Sequence, residues 1–213
     1  MLPTDNTYRL NLLFLGLTAI FVGYFVVWLP GPGAGLQLIG IEIGEWIKFL
    51  GVGAGRNWFY LPPIVIGTVV ALLAAMWPNS RIQTWLARGL AIAAALLSFP
   101  AVAAIQLEPL SEWLARLLGI GWVIGIAGLG AIISRRSGDT RRLWMIVAIV
   151  ALTGAFLPTI QYLAVRPLVE AALNRSLGIG AGVWLNAGGS VLVLVVALIE
   201  FRAASQTKRT AAA

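Results

Sequence analysis

Five glutamates, Glu42, Glu45, Glu108, Glu112 and Glu170, are the side chains of this sequence that most invite a chemical reading. Glu42 and Glu45 stand at i and i+3, on one face of a helix. Paired carboxylates in that position can do acid–base work or bind Ca2+ or Mg2+. Basic residues at helical spacing argue against this. Lys48 follows Glu45 after three residues, Arg116 follows Glu112 after four, and Arg175 follows Glu170 after five. These spacings predict ion pairs on short helices, with each glutamate near the positive end of the helix dipole.

The chain has no histidine and no cysteine, which removes the commonest general base, the commonest metal ligand and any thiolate nucleophile. Gly-x-Gly steps occur at Gly51, Gly119 and Gly178, but each leads into an apolar run, the wrong setting for a phosphate-binding loop. The sequence therefore predicts a non-enzyme with no catalytic residue, no metal and no cofactor.

Amides are the remaining polar candidates. Gln106 and Gln161 fall near the ends of apolar runs and Asn186 falls inside a glycine-rich one. They are expected either to bond between helices or to line a polar cavity. No ionisable residue falls in the middle of an apolar run, which disfavours ion-coupled transport.

The elements that carry these residues follow from hydropathy. Sixty per cent of the 213 residues are hydrophobic and 11% are charged, more apolar surface than a soluble fold of this size can hide. Six runs are long enough to be membrane helices: Leu10–Leu29, Leu61–Trp77, Leu86–Ile105, Leu117–Ile133, Leu143–Leu163 and Ala181–Ile199. They are long, Ala- and Leu-rich and show no alternation of period two, so strands are a poor alternative for them. The fold class predicted is an all-α integral membrane protein with six transmembrane helices in one polytopic domain, residues 1–213.

A repeated phrase divides that domain. Glu, then a base, then a hydrophobic step into Gly-x-Gly recurs from Glu45, Glu112 and Glu170. Pro100 and Pro109 are matched by Pro158 and Pro167, and each second proline opens Pro-Leu-x-Glu. The expectation is three pseudo-repeated helical hairpins, at 10–77, 86–133 and 143–199, joined by short amphipathic connector helices on the outer face. Residues 200–213 form a small, polar, basic tail that is expected to be disordered. Gly121 and Gly125 share a helix face and predict close helix packing, within the chain or with a second subunit.

The net charge of +7 is distributed as a topology signal and not as a nucleic-acid surface. Arg9, Arg81, Arg88, the Arg135–Arg142 loop, Arg202, Lys208 and Arg209 all fall on one side, while the other side balances bases with acids. Lys and Arg near span ends stay cytoplasmic. Both termini are therefore expected in the cytoplasm, with the protein multi-pass in the inner (plasma) membrane. Its partners would be the lipid bilayer and either other membrane proteins or itself. The function expected is an accessory or scaffolding subunit of a membrane protein complex. The alternative is a small permease or lipid-handling transporter without a membrane-embedded coupling carboxylate.

Overall fold

The computed structural model describes residues 4–33, 37–133 and 140–210, which form a helical bundle capped at one end by short turns and a small hairpin. The dense basic segment from Arg135 to Asp139, and Leu36 at the start of the first connector, lie outside the described residues. The helices are α1 (Thr4–Phe25), α2 (Gly40–Trp46), α3 (Leu61–Met76), α4 (Ile82–Leu96), α5 (Val102–Leu107), α6 (Leu114–Ile133), α7 (Thr140–Leu173) and α8 (Ala181–Thr210). Strands β1 (Val27–Leu29) and β2 (Leu38–Ile39) pair antiparallel, Val27 opposite Ile39 and Leu29 opposite Leu38. Turns of 3-10 helix cover Ile47–Leu50, Gly53–Tyr60 and Leu110–Glu112.

Four stretches are long and apolar enough to cross a membrane: Thr7–Phe25, Gly53–Met76, Thr140–Leu173 and Ala181–Gln206. The chain thus has the helices of a multi-pass membrane protein. The other two apolar helices, α4 and α6, carry shorter apolar stretches. The 15 residues of α4 rise about 22 Å, less than the roughly 30 Å of bilayer hydrocarbon. The expected run Leu86–Ile105 breaks because Pro100 disfavours helix at itself and at the residue before it. Ser98 Oγ then donates to the Tyr60 carbonyl at 2.7 Å and fixes the break before α5 begins.

The equally spaced Pro158 and Pro167 behave differently, since both lie inside the continuous α7. Pro158 has no N–H, so the Gly154 carbonyl one turn earlier loses its helical donor. Asn186 Nδ2, on α8, donates to that carbonyl at 3.1 Å. A separate connector helix after Pro167 is therefore not formed. The helix runs on to Leu173 and closes at Asn174, whose φ of 48° is left-handed. There the Asn174 N–H reaches the Ala171 carbonyl and the Arg175 N–H reaches the Glu170 carbonyl, a Schellman closure with asparagine in the usual place of glycine. The C-terminal segment also departs from expectation. Ala203, Ala204 and Gln206 favour helix, no proline or glycine intervenes, and α8 continues to Thr210.

Helix α3 is the axis of the bundle, buried along nearly its whole length and packed by α1, α4, α6 and α7. Helix α1 turns instead towards α8, along a glycine seam. A Cβ on Gly16 would stand 2.8 Å from the Gly189 carbonyl oxygen, and one on Gly23 would stand 3.0 Å from that of Gly182. The pairs 16/189 and 23/182 keep one antiparallel register, seven residues apart on each helix. Helix neighbours consequently differ among the three hairpins: α7 packs on α8, whereas α1 packs on α8 more than on α3. The three Gly-x-Gly steps differ too. Gly51 and Gly53 are left-handed at 70° and 59°, Gly119 and Gly121 lie within α6, and Gly178 and Gly180 join α7 to α8. Arg9 and Glu200 meet at 3.3 Å, so the first and last helices share one end of the molecule. The connectors form a cap at the other.

Candidate functional site

The cap holds the densest polar cluster of the described residues. Left-handed Gly51 and Gly53 reverse the chain after the Ile47–Leu50 turn, so Gly53–Tyr60 folds back against α2. That reversal brings Arg56 to Glu45. Gly44 does the complementary work: a Cβ there would overlap the Tyr60 ring at 2.5 Å. Without one, the ring lies close enough for the Tyr60 hydroxyl to donate to Glu45 Oε1 at 2.6 Å.

Arg56 is the hub. Its side chain is 1% exposed and its guanidinium is shared among three carboxylates. Nε donates to Glu112 Oε2 at 3.0 Å, Nη1 to Glu45 Oε2 at 3.5 Å, and Nη2 to Glu108 Oε2. Arg116, equally buried, donates from Nη1 to Glu45 Oε1 at 2.8 Å and from Nε to Asn57 Oδ1 at 3.0 Å. Its guanidinium lies 3.6 Å over the Tyr60 ring, a cation–π contact in a desolvated setting. Lys48 completes the set at 3.2 Å from Glu108 and 3.7 Å from Glu45. Three carboxylates thus face three cations. Beside them opens a recess of about 330 Å3 lined by Lys48, Gly51, Gly53, Arg56, Glu108 and Glu112.

The pairing differs from the one expected within single helices. Glu45 does meet Lys48, but Glu112 pairs with Arg56 and Arg116 crosses to Glu45. The backbone explains why. Glu112 ends a 3-10 turn and Trp113 has φ −135°, so Glu112 and Arg116 share no helix and their i, i+4 relation has no geometric meaning. Glu170 takes the Arg166 guanidinium and the Leu177 N–H, at 3.1 and 2.7 Å. Arg175 contributes only its backbone N–H to the Glu170 carbonyl in that closure. Glu42 is exposed on α2.

The three amides occupy three settings. Gln106 is exposed on α5, Gln161 is half-buried against Gly55, and Asn186 is buried and bonded to Gly154. Gly121 and Gly125 face open space, with nothing within 4 Å of an added Cβ, while Gly119 and Gly130 make the close approaches of α6, to Ile64 and Ala75. Arg56, Asn57, Tyr60 and Tyr24 are the cap residues that spacing did not single out. Arg56 carried one legible signal, as a charge directly after a Gly-x-Gly turn with no loop before the next apolar run.

Chemically, the cluster can hold connectors together. Each oxygen of Glu45 is engaged by a donor, and among the described residues no group of three acidic side chains is placed to hold a metal ion. Burial pushes the Glu45 carboxyl up, but the Tyr60 hydroxyl, Arg116 and Arg56 together outweigh it and hold the group below its ordinary value of 4.5. The unfolded chain therefore takes up the extra proton first, and stability falls on acidification. The Glu45 contribution is complete above pH 4.5 and is lost as pH falls through the lower folded value. Melting temperatures in mild detergent should show a steeper acid limb for the native chain than for Glu45→Gln; parallel curves would contradict this.

Asn186 yields a second expectation. Asn186→Leu strips the donor from a buried carbonyl and costs about 1–3 kcal/mol. Pro158→Ala in the same chain returns a helical N–H to Gly154 and recovers much of the loss. Thermal unfolding of both single variants and the double variant measures the coupling, and additive effects would refute the pairing. Comparison with protein-family models, with curated proteins and with solved structures finds no match for this chain.

Proposed function

We propose that the protein is a non-catalytic membrane protein of six crossings, three successive hairpins with the cap outside and both termini in the cytoplasm. Its role in this reading is that of an accessory or scaffolding subunit in a complex of the inner (plasma) membrane. The observation that carries it is the charge pairing within the cap. Glu45, Glu108 and Glu112 are matched by Lys48, Arg56 and Arg116, so the charges are spent on one another and hold the shape of the cap. A shape-holding cap over a bundle with a bare glycine face at Gly121 and Gly125 suits a protein that works by contact.

The six crossings draw support from α4 and α6, apolar helices that both pack on α3 despite their shorter length. The orientation draws support from Arg81, Arg88, Arg141, Arg142 and Arg202 at the end opposite the cap. The absence of cysteine makes single-cysteine labelling straightforward. Ser111→Cys should react with an impermeant maleimide in intact cells and Ser80→Cys only after permeabilisation; the reverse pattern would invert the topology.

The alternative, a small permease, is favoured by one observation. Tyr24 Oη, Arg116 Nη2, Asn186 Oδ1 and Ser190 Oγ are buried without a hydrogen-bond partner among the described residues, as expected of groups that meet a passing polar solute. Purification from native membranes in mild detergent separates the two readings. A stoichiometric protein partner supports scaffolding. An isolated chain that passes a polar solute on reconstitution overturns it.

A further inference from the structure

The glycine seam has a consequence on the opposite flank of α1. Turned towards α8, α1 leaves one face of α4 uncovered, and a slot opens between the two helices with α3 as its floor. Two compartments of about 460 and 300 Å3 share Phe14, Val70 and Leu90 and so form one continuous apolar slot. Along α4 it extends from Gln83 to Leu97, about 21 Å at the helical rise. That exceeds the roughly 15 Å of hydrocarbon in one leaflet.

Its cross-section selects the occupant. Walls such as Phe14 and Leu90 are exposed, whereas the floor residues Ile66 and Val70 keep only 7% and 6% exposure. A helix about 10 Å across and as long as the slot would need roughly 1,600 Å3, about twice the two compartments together, whereas a single methylene chain fits. The end remote from the cap is polar. Gln83 and Trp77 line it, and the exposed Arg81 stands at the N-cap of α4. Tryptophan favours the headgroup level, and a basic residue there attracts anionic lipid.

We propose that this slot holds one acyl chain of an anionic glycerophospholipid whose phosphate lies at Arg81. The proposal rests on the membrane location of the bundle and not on a scaffolding role. The lipid becomes a built-in wedge between α1 and α4, filling the space that an α1–α4 contact would otherwise close.

The test is native mass spectrometry of the full chain in detergent, titrated with dioleoyl-phosphatidylglycerol and with dioleoyl-phosphatidylcholine. One phosphatidylglycerol should be retained, in about fivefold preference over phosphatidylcholine. Ala93→Phe fills the slot from α4 and should weaken both lipids about tenfold. Thr18→Phe fills it from α1 and should do the same, an independent test if one variant fails to fold. Arg81→Gln should abolish the headgroup preference, weakening phosphatidylglycerol more than phosphatidylcholine, whose own phosphate is already offset by its choline. Undiminished lipid in both filled variants would overturn the proposal. So would a dimer mass that Ala93→Phe abolishes, since the slot would then be covered by a second copy of the chain.

Discussion

Arg56→Met should destabilise the protein by about 2–3 kcal/mol, less than the cost of stranding fully buried charges, because the three carboxylates it leaves behind are partly exposed and solvent screens them. Among the described residues, Arg56 is the one group that touches Glu45, Glu108 and Glu112 together. Its loss leaves Glu45 and Glu108 to Lys48 and Arg116, of which Lys48 is the more exposed, and takes from Glu112 the guanidinium it pairs with. Arg56→Lys should not restore stability, because a single ammonium cannot present three donors in a plane to three acceptors. Glu112→Gln added to Arg56→Met should regain part of the loss, since it removes one of the stranded charges. The coupling between the two should fall between about 0.5 and 3 kcal/mol. Unfolding in mild detergent provides the numbers. An Arg56→Met variant within about 0.5 kcal/mol of the native chain would mean that the cap is held by packing alone.

This hub shows where the sequence ceases to be informative. Hydropathy located the apolar segments well, with α3 starting at Leu61 and α8 at Ala181 as their composition suggests. Burial in lipid or protein depends on composition, which is local. Ion pairing in the cap is not local. Arg56 and Arg116 find partners 11 to 71 residues away, and spacing rules apply only inside one continuous helix. The proline repeat misled for a related reason. Pro100 breaks a helix while Pro158 does not, because Asn186 happens to stand opposite the carbonyl that Pro158 frees. Both halves of that pair were visible, a proline needing a donor for its turn and an amide needing an acceptor, but their alignment depends on the α7–α8 register. The glycines tell the same story. The seven-residue intervals Gly16–Gly23 and Gly182–Gly189 are as legible as Gly121-x-x-x-Gly125, yet the first two form the seam and the third faces open space. Spacing names the face of a helix, and only the partner decides whether it is used.

Trp28→Ala should cost a further about 3–5 kcal/mol, the range for truncating a fully buried large aromatic side chain. Trp28 is 0% exposed at the start of the cap. Its ring meets Phe59 at 5.8 Å and Tyr162 at 6.4 Å, both edge-on, so it joins the first connector to α7. Its Nε1 donates to the Gly23 carbonyl at 2.8 Å, and its own carbonyl accepts from the Gly180 N–H at 3.0 Å. Gly40 and Gly182 lack the Cβ atoms that would strike the ring, so two glycines from different elements shape a slot for one indole. Alanine would leave that slot empty, with both glycines and the Gly23 carbonyl deprived of contact. Trp28→Phe keeps most of the ring and loses the hydrogen bond, for which about 1 kcal/mol is expected. If instead Phe costs as much as Ala, the indole N–H and not its volume is what locks the cap. Combined with Arg56→Met, the Trp28→Ala loss should not add. Ile43 and Ile47 pack in the Trp28 cluster while Glu45 between them binds Arg56, so releasing α2 from either side surrenders part of what the other side holds. A double variant whose loss equals the sum of the singles would show that the polar cap and the aromatic layer beneath it fold as independent units.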